Sequence, residues 1–170
     1  MAAQPTIVTY LIEDHARLHG LLSRAEKGPQ FDSGAFAEFR RGLLRHIAIE
    51  EKLLFPAVRK ARQGARLRRA HELRIDHAVL TSLLVPTPDM ALCREISAFL
   101  SMHDAKEEGA SGVYEECDHW LSLDELTLLA EQAASFPPVR VRPYFDGPRV
   151  YRTAKAALAT AQRLPATKDE

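Results

Sequence analysis

The chain has few of the features that mark disulfide-stabilised, secreted or membrane proteins. Its 170 residues include two cysteines, Cys93 and Cys117, which are far apart and follow no metal-binding or redox spacing. We expect reduced thiols, with a disulfide between them as the alternative. No run approaches the roughly 18 apolar residues that span a bilayer, and the N-terminus lacks the basic and apolar segments of a secretory signal. These absences predict a cytoplasmic protein with no membrane partner.

The chain also has no net charge and few aromatic side chains. The 23 basic residues balance 23 acidic residues, so the chain as a whole produces no field that would gather nucleic acid. A basic run at residues 59–69 falls between two predicted helices, where cations are favourable at a helix C-terminus, and we expect no nucleic-acid partner. Aromatic residues make up 7% and apolar residues 46% of the chain, which is typical of a helical protein with a core of Leu, Ala and Val.

Four segments carry apolar residues alternately three and four positions apart, the spacing of helices in an antiparallel bundle. The predicted helices run over about residues 5–27, 35–62, 66–84 and 89–108. A turn with glycine and proline separates the first from the second helix, and two prolines at residues 86 and 88 separate the third from the fourth. The pattern predicts an all-α fold, with an up-down four-helix bundle over residues 1–120.

Residues 121–170 are predicted to form a C-terminal helical extension that packs on the bundle or on a partner subunit. Ser122 and Glu125 have the spacing of a capping box, which predicts a helix to about Ser135. Pro148 suits the first turn of a last helix, which we expect to end near Leu164.

A histidine interrupts the apolar stripe of every predicted bundle helix, and a glutamate follows two of these histidines at the fourth position. The candidate ligands are His15, His46, Glu50, His77, His103 and Glu107. Residues four positions apart share one helix face, so each His-x-x-x-Glu pair can reach a common centre. One such histidine alone is ordinarily a hydrogen-bonded core residue. A buried, unpaired carboxylate costs several kcal/mol, so these glutamates are expected to be paired, protonated or bound to metal.

The chain also repeats itself. Residues 11–22 and 73–84 are identical at seven of twelve aligned positions, and residues 46–51 and 103–108 at four of six. Each half contributes one histidine and one His-x-x-x-Glu pair, which predicts two pseudo-symmetric helical hairpins around a metal site. Imidazole and carboxylate ligands without thiolate suit iron, manganese or zinc. Such a set leaves coordination positions open for water, hydroxide, O2 or NO.

This set of residues resembles the hemerythrin-like (HHE cation-binding) family. The segments that carry the resemblance are Asp14-His15, residues 46–56, Asp76-His77 and residues 103–108. The resemblance implies a bundle around a non-haem di-iron centre with four terminal histidine ligands (His15, His46, His77, His103) and two bridging carboxylates (Glu50, Glu107). It also implies two iron ions as the cofactor, with or without an oxo or hydroxo bridge, and manganese or zinc are the alternatives.

The same resemblance implies a protein that binds or reacts with a small diatomic ligand, O2 or NO, or with peroxide, in sensing or stress defence. Iron buffering or donation is one alternative, and a structural bundle that has lost its metal is another. No enzymatic reaction is assigned, and we expect a monomer or a homodimer.

Three positions depart from the family pattern or leave a ligand open. Leu73 stands where the oxygen-carrying hemerythrins have an additional histidine, which disfavours a reversible oxygen carrier. His19 lies one turn after His15 and is either a fifth nitrogen ligand or a donor behind the ligands. Gly109 and a second glycine three residues later weaken the fourth helix directly after its glutamates, so Glu108 is the rival of Glu107 for the ligand position.

Overall fold

The computed structural model describes residues 5–163, and every regular element in this range is helical. The elements are α1 (Ile7–Glu26), α2 (Ser33–Ile49), a π-helical turn (Glu50–Leu54), α3 (Phe55–Ala61), α4 (Ala70–Leu83), α5 (Met90–Glu108), α6 (Val113–Trp120), α7 (Leu123–Ala134) and α8 (Ala154–Ala161). The predicted all-α class is confirmed, and the up-down order of four bundle helices stays a prediction. None of the helices within residues 5–163 is both long enough and apolar enough to cross a membrane.

Three of the long helices begin at residues whose side chains cap the helix N-terminus. Thr6, Asp32 and Asp89 each accept a hydrogen bond from a backbone N–H of the first turn of α1, α2 and α5. Such caps satisfy donors that have no partner inside the helix. α5 continues without interruption to Glu108, so the helix stays regular across both of its candidate carboxylate ligands.

The predicted second helix contains one wide turn. Over Glu50–Leu54 the backbone is π-helical, and the N–H of Phe55 donates to the carbonyl oxygen of Glu50, five residues earlier. Pro56 supplies the physical reason, because proline has no N–H to donate and its ring clashes with the carbonyl four residues before it in an α-helix. A π-helical turn next to the proline avoids this conflict. It also places the wide turn at Glu50, a candidate ligand, and such turns are frequent at functional sites.

Three element predictions were wrong. α4 begins at Ala70 rather than near residue 66, because Gln63 and Gly64 adopt positive φ and the chain needs further residues to turn back. The last helix begins at Ala154 rather than at Pro148, since the hydroxyl of Thr153 caps it there; its predicted end at residue 164 lies outside the described residues. α6 was not predicted.

The candidate ligands lie in a polar layer between two clusters of buried apolar residues. One cluster combines side chains of α1, α2, α4, α5 and α8, and the other combines side chains of α1, α3, α4, α6 and α7. On α1, His15 lies between Leu11 of the second cluster and Leu18 of the first. The histidine of α4 is placed in the same way between two leucines. Apolar packing on both sides therefore buries the polar layer.

The C-terminal helices pack onto the helices that carry the candidate ligands. α7 contacts α1, and α8 contacts α4 and α5. Arg45 of α2 donates to the backbone carbonyls of Ala133 and Phe136 at the end of α7, where a cation also interacts favourably with the helix dipole. Ala157 and Ala161 of α8 are buried in the first apolar cluster. The division into a bundle over residues 1–120 and an extension over residues 121–170 stays a prediction, and the two parts share their cores.

Candidate metal centre

All six predicted ligands lie in one buried layer. His15 comes from α1, His46 from α2, Glu50 from the π-helical turn, His77 from α4, and His103 and Glu107 from α5. None of the six is more than 3% exposed. The apolar stripes of the helices explain this burial, because a residue that interrupts such a stripe is carried inward with it.

The side chains form two groups that meet at Glu107. One group contains Glu50, His77, His103 and Glu107, and the other contains His15, His46 and Glu107; within each group the potential ligand atoms lie within 4.8 Å of one another. Glu107 Oε1 is 3.3 Å from His103 Nε2, and Glu107 Oε2 is 3.3 Å from His15 Nε2. Since its two oxygens face different groups, Glu107 has the geometry of a bridging carboxylate.

Glu50 is the second buried carboxylate of the layer. Its Oε2 is 3.3 Å from His77 Nε2 and 3.7 Å from His46 Nε2. Ligands that share one ion through bonds of about 2.1 Å are roughly 3 to 4 Å apart. The separations around both glutamates fall in this range.

The hydrogen-bonding state of the layer fits metal ions. The Nε2 atoms of all four histidines, together with Glu50 Oε2 and Glu107 Oε1, are buried and have no hydrogen-bond partner. Each such polar group in a protein interior costs about 1–3 kcal/mol or more, so this many at one place calls for a ligand. Cations between these atoms would satisfy them together, and imidazole and carboxylate donors suit iron, manganese and zinc. The residues therefore fit a pair of metal ions.

A carboxylate lies behind each of the four histidines, at the ring nitrogen that points away from the layer. The Nδ1–carboxylate distances are 2.5 Å for His15 with Glu108, 3.0 Å for His46 with Asp14, 2.9 Å for His77 with Glu51 and 3.4 Å for His103 with Asp76. When Nδ1–H donates to a carboxylate, the lone pair of Nε2 is left for a metal and the ring is held in orientation. All four histidine rings thus have a carboxylate at Nδ1 and can leave Nε2 for a metal ion.

These four carboxylates follow the internal repeat. The aspartate before the first histidine of each half supports the second histidine of that half, as Asp14 supports His46. The second glutamate of each Glu-Glu pair supports a histidine of the other half, as Glu51 supports His77. This function of the four carboxylates was not predicted from the sequence, although Asp-His and Glu-Glu recur at matching positions of the repeat.

The structure distinguishes Glu107 from Glu108. α5 ends at Gly109, so Glu107 remains one helical turn from His103 and faces the layer. The side chain of Glu108 is 34% exposed and binds His15 from outside the layer. The glycine turn therefore begins after the candidate ligands and leaves them in register.

The turn after α5 brings Tyr114 into the layer. The hydroxyl of Tyr114 donates to Glu50 Oε1 at 2.7 Å and lies 3.3 Å from Glu107 Oε2, and the ring stacks on His15. Gly112 makes this turn feasible, because a Cβ atom there would lie only 2.4 Å from the carbonyl oxygen of Glu107. Tyr114 touches both glutamates, and no periodic signal in the sequence indicates this role.

His19 and Leu73, the two positions that bear on an additional histidine ligand, lie outside the two groups. His19 Nε2 is 2.6 Å from Asp104 Oδ2, and this contact places it behind the layer rather than within either group. His71 is exposed, and Leu73 is buried among apolar side chains. Leu73, at the position where oxygen carriers have an additional histidine, is therefore part of the apolar core.

Electrostatics favour positive charge between the two glutamates. Burial pushes the pKa of Glu50 upward, but the nearby positive charges of His46 and His77 outweigh burial and hold this pKa well below its usual range. Burial opposes charge on the histidines too, yet interactions with Glu50 raise the pKa of both His46 and His77 to about 10. Burial and the charge of Glu50 raise the pKa of Glu107. Protons and metal cations therefore compete for the same place.

A cavity of about 340 Å³ reaches the edge of the layer from outside. Its walls include Glu51, Phe55, Arg59 and His77. The ring of Phe55 stacks on that of His77, with 6.4 Å between the centroids. The cavity thus adjoins His77 from outside, while the Nε2 atom of His77 itself is buried.

A helical protein whose core holds a layer of histidines and glutamates belongs, by fold and site, among helical-bundle metal-binding proteins. Residues 6–123 match the family model of the hemerythrin HHE cation binding domain, and the chain belongs to this family. The family's domain binds metal cations, and the cluster described above could hold them. Comparison with curated proteins and with solved structures finds no match.

Proposed function

We propose that the protein is a hemerythrin-like, non-haem di-iron protein that binds or reacts with O2, NO or peroxide in sensing or stress defence. In this proposal His15, His46, His77 and His103 are terminal ligands, Glu50 and Glu107 bridge two iron ions, and the four helices that carry them form an up-down bundle. The convergence of four unpartnered Nε2 atoms on two buried glutamates carries the proposal.

The bound iron would supply redox chemistry and open coordination positions for a small ligand. The protein's own residues set the conditions for that chemistry. The four carboxylates behind the histidines orient the rings, and the apolar clusters exclude bulk water from the layer. Tyr114 donates a hydrogen bond to Glu50 and so restrains the orientation of that carboxylate. The cavity beside His77 supports entry of a ligand the size of O2, NO or peroxide.

Iron is favoured over manganese or zinc by the family resemblance and by the open ligand set, since a closed structural zinc site uses four ligands. Both cysteines are free and buried, which agrees with the proposed cytoplasmic setting. A structural bundle without metal is disfavoured, because six polar atoms would then stay buried without partners.

The test is metal analysis and spectroscopy of protein purified without chelators. We expect two irons per chain, a near-ultraviolet absorption band that changes with azide, and a spectral change when the reduced protein meets O2, NO or peroxide. The His46→Ala protein should lose iron. The control is His119→Ala, which replaces an exposed histidine of α6 and should retain iron. Metal-replete protein with neither iron nor such a band would refute the proposal. Rapid transfer of iron to an apo-acceptor would instead support iron donation.

A further inference from the structure

The two groups of candidate ligands are unequal. The group on the His77 side has four members (Glu50, His77, His103, Glu107), whereas the group on the His15 side has three (His15, His46, Glu107). A repeated sequence would by itself lead us to expect equal halves. The smaller group contains His15, and a further carboxylate lies next to this histidine.

Asp104 lies next to His15, one member of the three-membered group. Its Oδ1 is 3.7 Å from His15 Nε2, within the range of about 3 to 4 Å for two ligands of one ion. Asp104 is 8% exposed, and its Oδ1 is buried without a hydrogen-bond partner. This oxygen is thus in the same state as the histidine and glutamate atoms of the layer, and it faces the same histidine nitrogen.

The second oxygen of Asp104 is held in place by His19. Asp104 Oδ2 and His19 Nε2 are 2.6 Å apart, and the side chain of His19 is 35% exposed. Carboxylates that bind metals are commonly hydrogen-bonded from behind. His19 contacts Asp104 in this way, while Oδ1 remains available on the other side.

The internal repeat shows that this pair occurs in one half only. In the alignment of residues 46–51 with 103–108, the partner of Asp104 is Ile47, which is buried in the apolar core. In the alignment of residues 11–22 with 73–84, the partner of His19 is Thr81, whose hydroxyl donates to the backbone carbonyl of His77. Both symmetry-breaking residues therefore occur together and touch each other.

We propose that Asp104 Oδ1 is a further protein ligand for the metal ion on the His15 side, in addition to the histidines and the two glutamates, with His19 as the residue that positions it. The inference rests on the proposed function, because it needs two metal ions in the layer. Asp104 then adds a protein ligand on the His15 side only and makes the two metal positions chemically different. The His77 side is the one that adjoins the cavity beside Phe55.

The experiment is an anaerobic titration of metal-free protein with Co²⁺, whose visible absorption reports the number of ligands. The wild type should bind two ions. His19→Ala should weaken one of the two binding events about tenfold, Asp104→Ala should weaken the same event more, and the spectrum of that site should lose a ligand. His19→Gln, whose amide can still donate to Asp104, should restore binding. Asp118→Ala, a matched loss of an exposed carboxylate, should change neither event.

The outcomes separate this inference from the proposed function. Wild-type protein that binds fewer than two ions would overturn both. Two ions bound by Asp104→Ala with wild-type affinities and spectra would overturn the inference alone. A merely structural pair would lower the stability of the metal-free protein without changing either binding event. Should Asp104→Ala not fold, as judged by circular dichroism, the contrast of His19→Ala with His19→Gln decides the matter.

Discussion

Glu107 and Glu108 are neighbours on α5, yet their side chains face opposite directions, and replacing each by glutamine separates their proposed roles. Glu107 is fully buried and directs one oxygen toward each ligand group. Glu108 is partly exposed and contacts only His15, at the nitrogen that faces away from the layer. Glutamine has nearly the same shape as glutamate, so each exchange removes charge with little change in packing.

The expected magnitudes differ by orders of magnitude. Removing one partner of a buried charged contact costs about 3–5 kcal/mol, and each 1.4 kcal/mol is a factor of about ten in affinity. Glu107→Gln should thus weaken metal binding by roughly two to three and a half orders of magnitude. Glu108→Gln keeps an oxygen that can accept a hydrogen bond from His15 Nδ1. Mutation of a residue that supports a metal ligand typically lowers metal affinity about 10- to 100-fold, so we expect Glu108→Gln to lower it about tenfold.

The metal-free fold should tolerate the first exchange. Burial and the charge of Glu50 raise the pKa of Glu107, so the neutral amide avoids both the burial of a charge and the repulsion from Glu50. Metal affinities are measured by competition with a chromophoric chelator, and folding by circular dichroism. Glu51→Gln is the matched control, because Glu51 contacts His77 as Glu108 contacts His15. Equal losses for Glu107→Gln and Glu108→Gln, or a larger loss for Glu108→Gln, would refute the assignment.

Three further perturbations concern the metal-free protein. Tyr114→Phe removes a donor to the Glu50 carboxylate and should lower the free energy of unfolding by about 1–3 kcal/mol in urea; an unchanged midpoint would contradict this. Gly112→Ala should destabilise the protein, because the new Cβ would lie 2.4 Å from a backbone oxygen. Gly20→Ala, at a position of α1 with open space around it, should stabilise the protein by about 0.5–1 kcal/mol. A Gly112→Ala protein more stable than the Gly20→Ala protein would count against the tight turn. The pKa of His46 is raised from 6.5 to about 10, so its contribution to the stability of the metal-free protein is complete below pH 6.5 and is lost as pH rises through about 10. Metal affinity should rise over the same interval, because protons leave the ligands. Urea unfolding of the metal-free protein and chelator competition, each measured across this pH interval, check the fall in stability and the rise in affinity.

Much of the candidate site could be predicted because its signals are local. His46 and Glu50, and likewise His103 and Glu107, are four residues apart on one helix, and the apolar residues around them show which face is buried. The internal repeat then implied that the two halves contribute alike. Helix ends were less predictable, because a cap such as Thr153 competes with Pro148 for the start of a helix on small free-energy differences.

The sequence by itself determined the helical class, the order of the six candidate ligands and the layer they would share, since periodicity acts over a few residues. Only the tertiary structure decided which carboxylate supports which histidine. His15 and Glu108 are 93 positions apart in the chain, and no local spacing records such a contact. It also decided that Tyr114 touches both glutamates and that Asp104 adjoins one half alone. These contacts depend on how separate helices are rotated and shifted against one another, which the packing of the two apolar clusters sets.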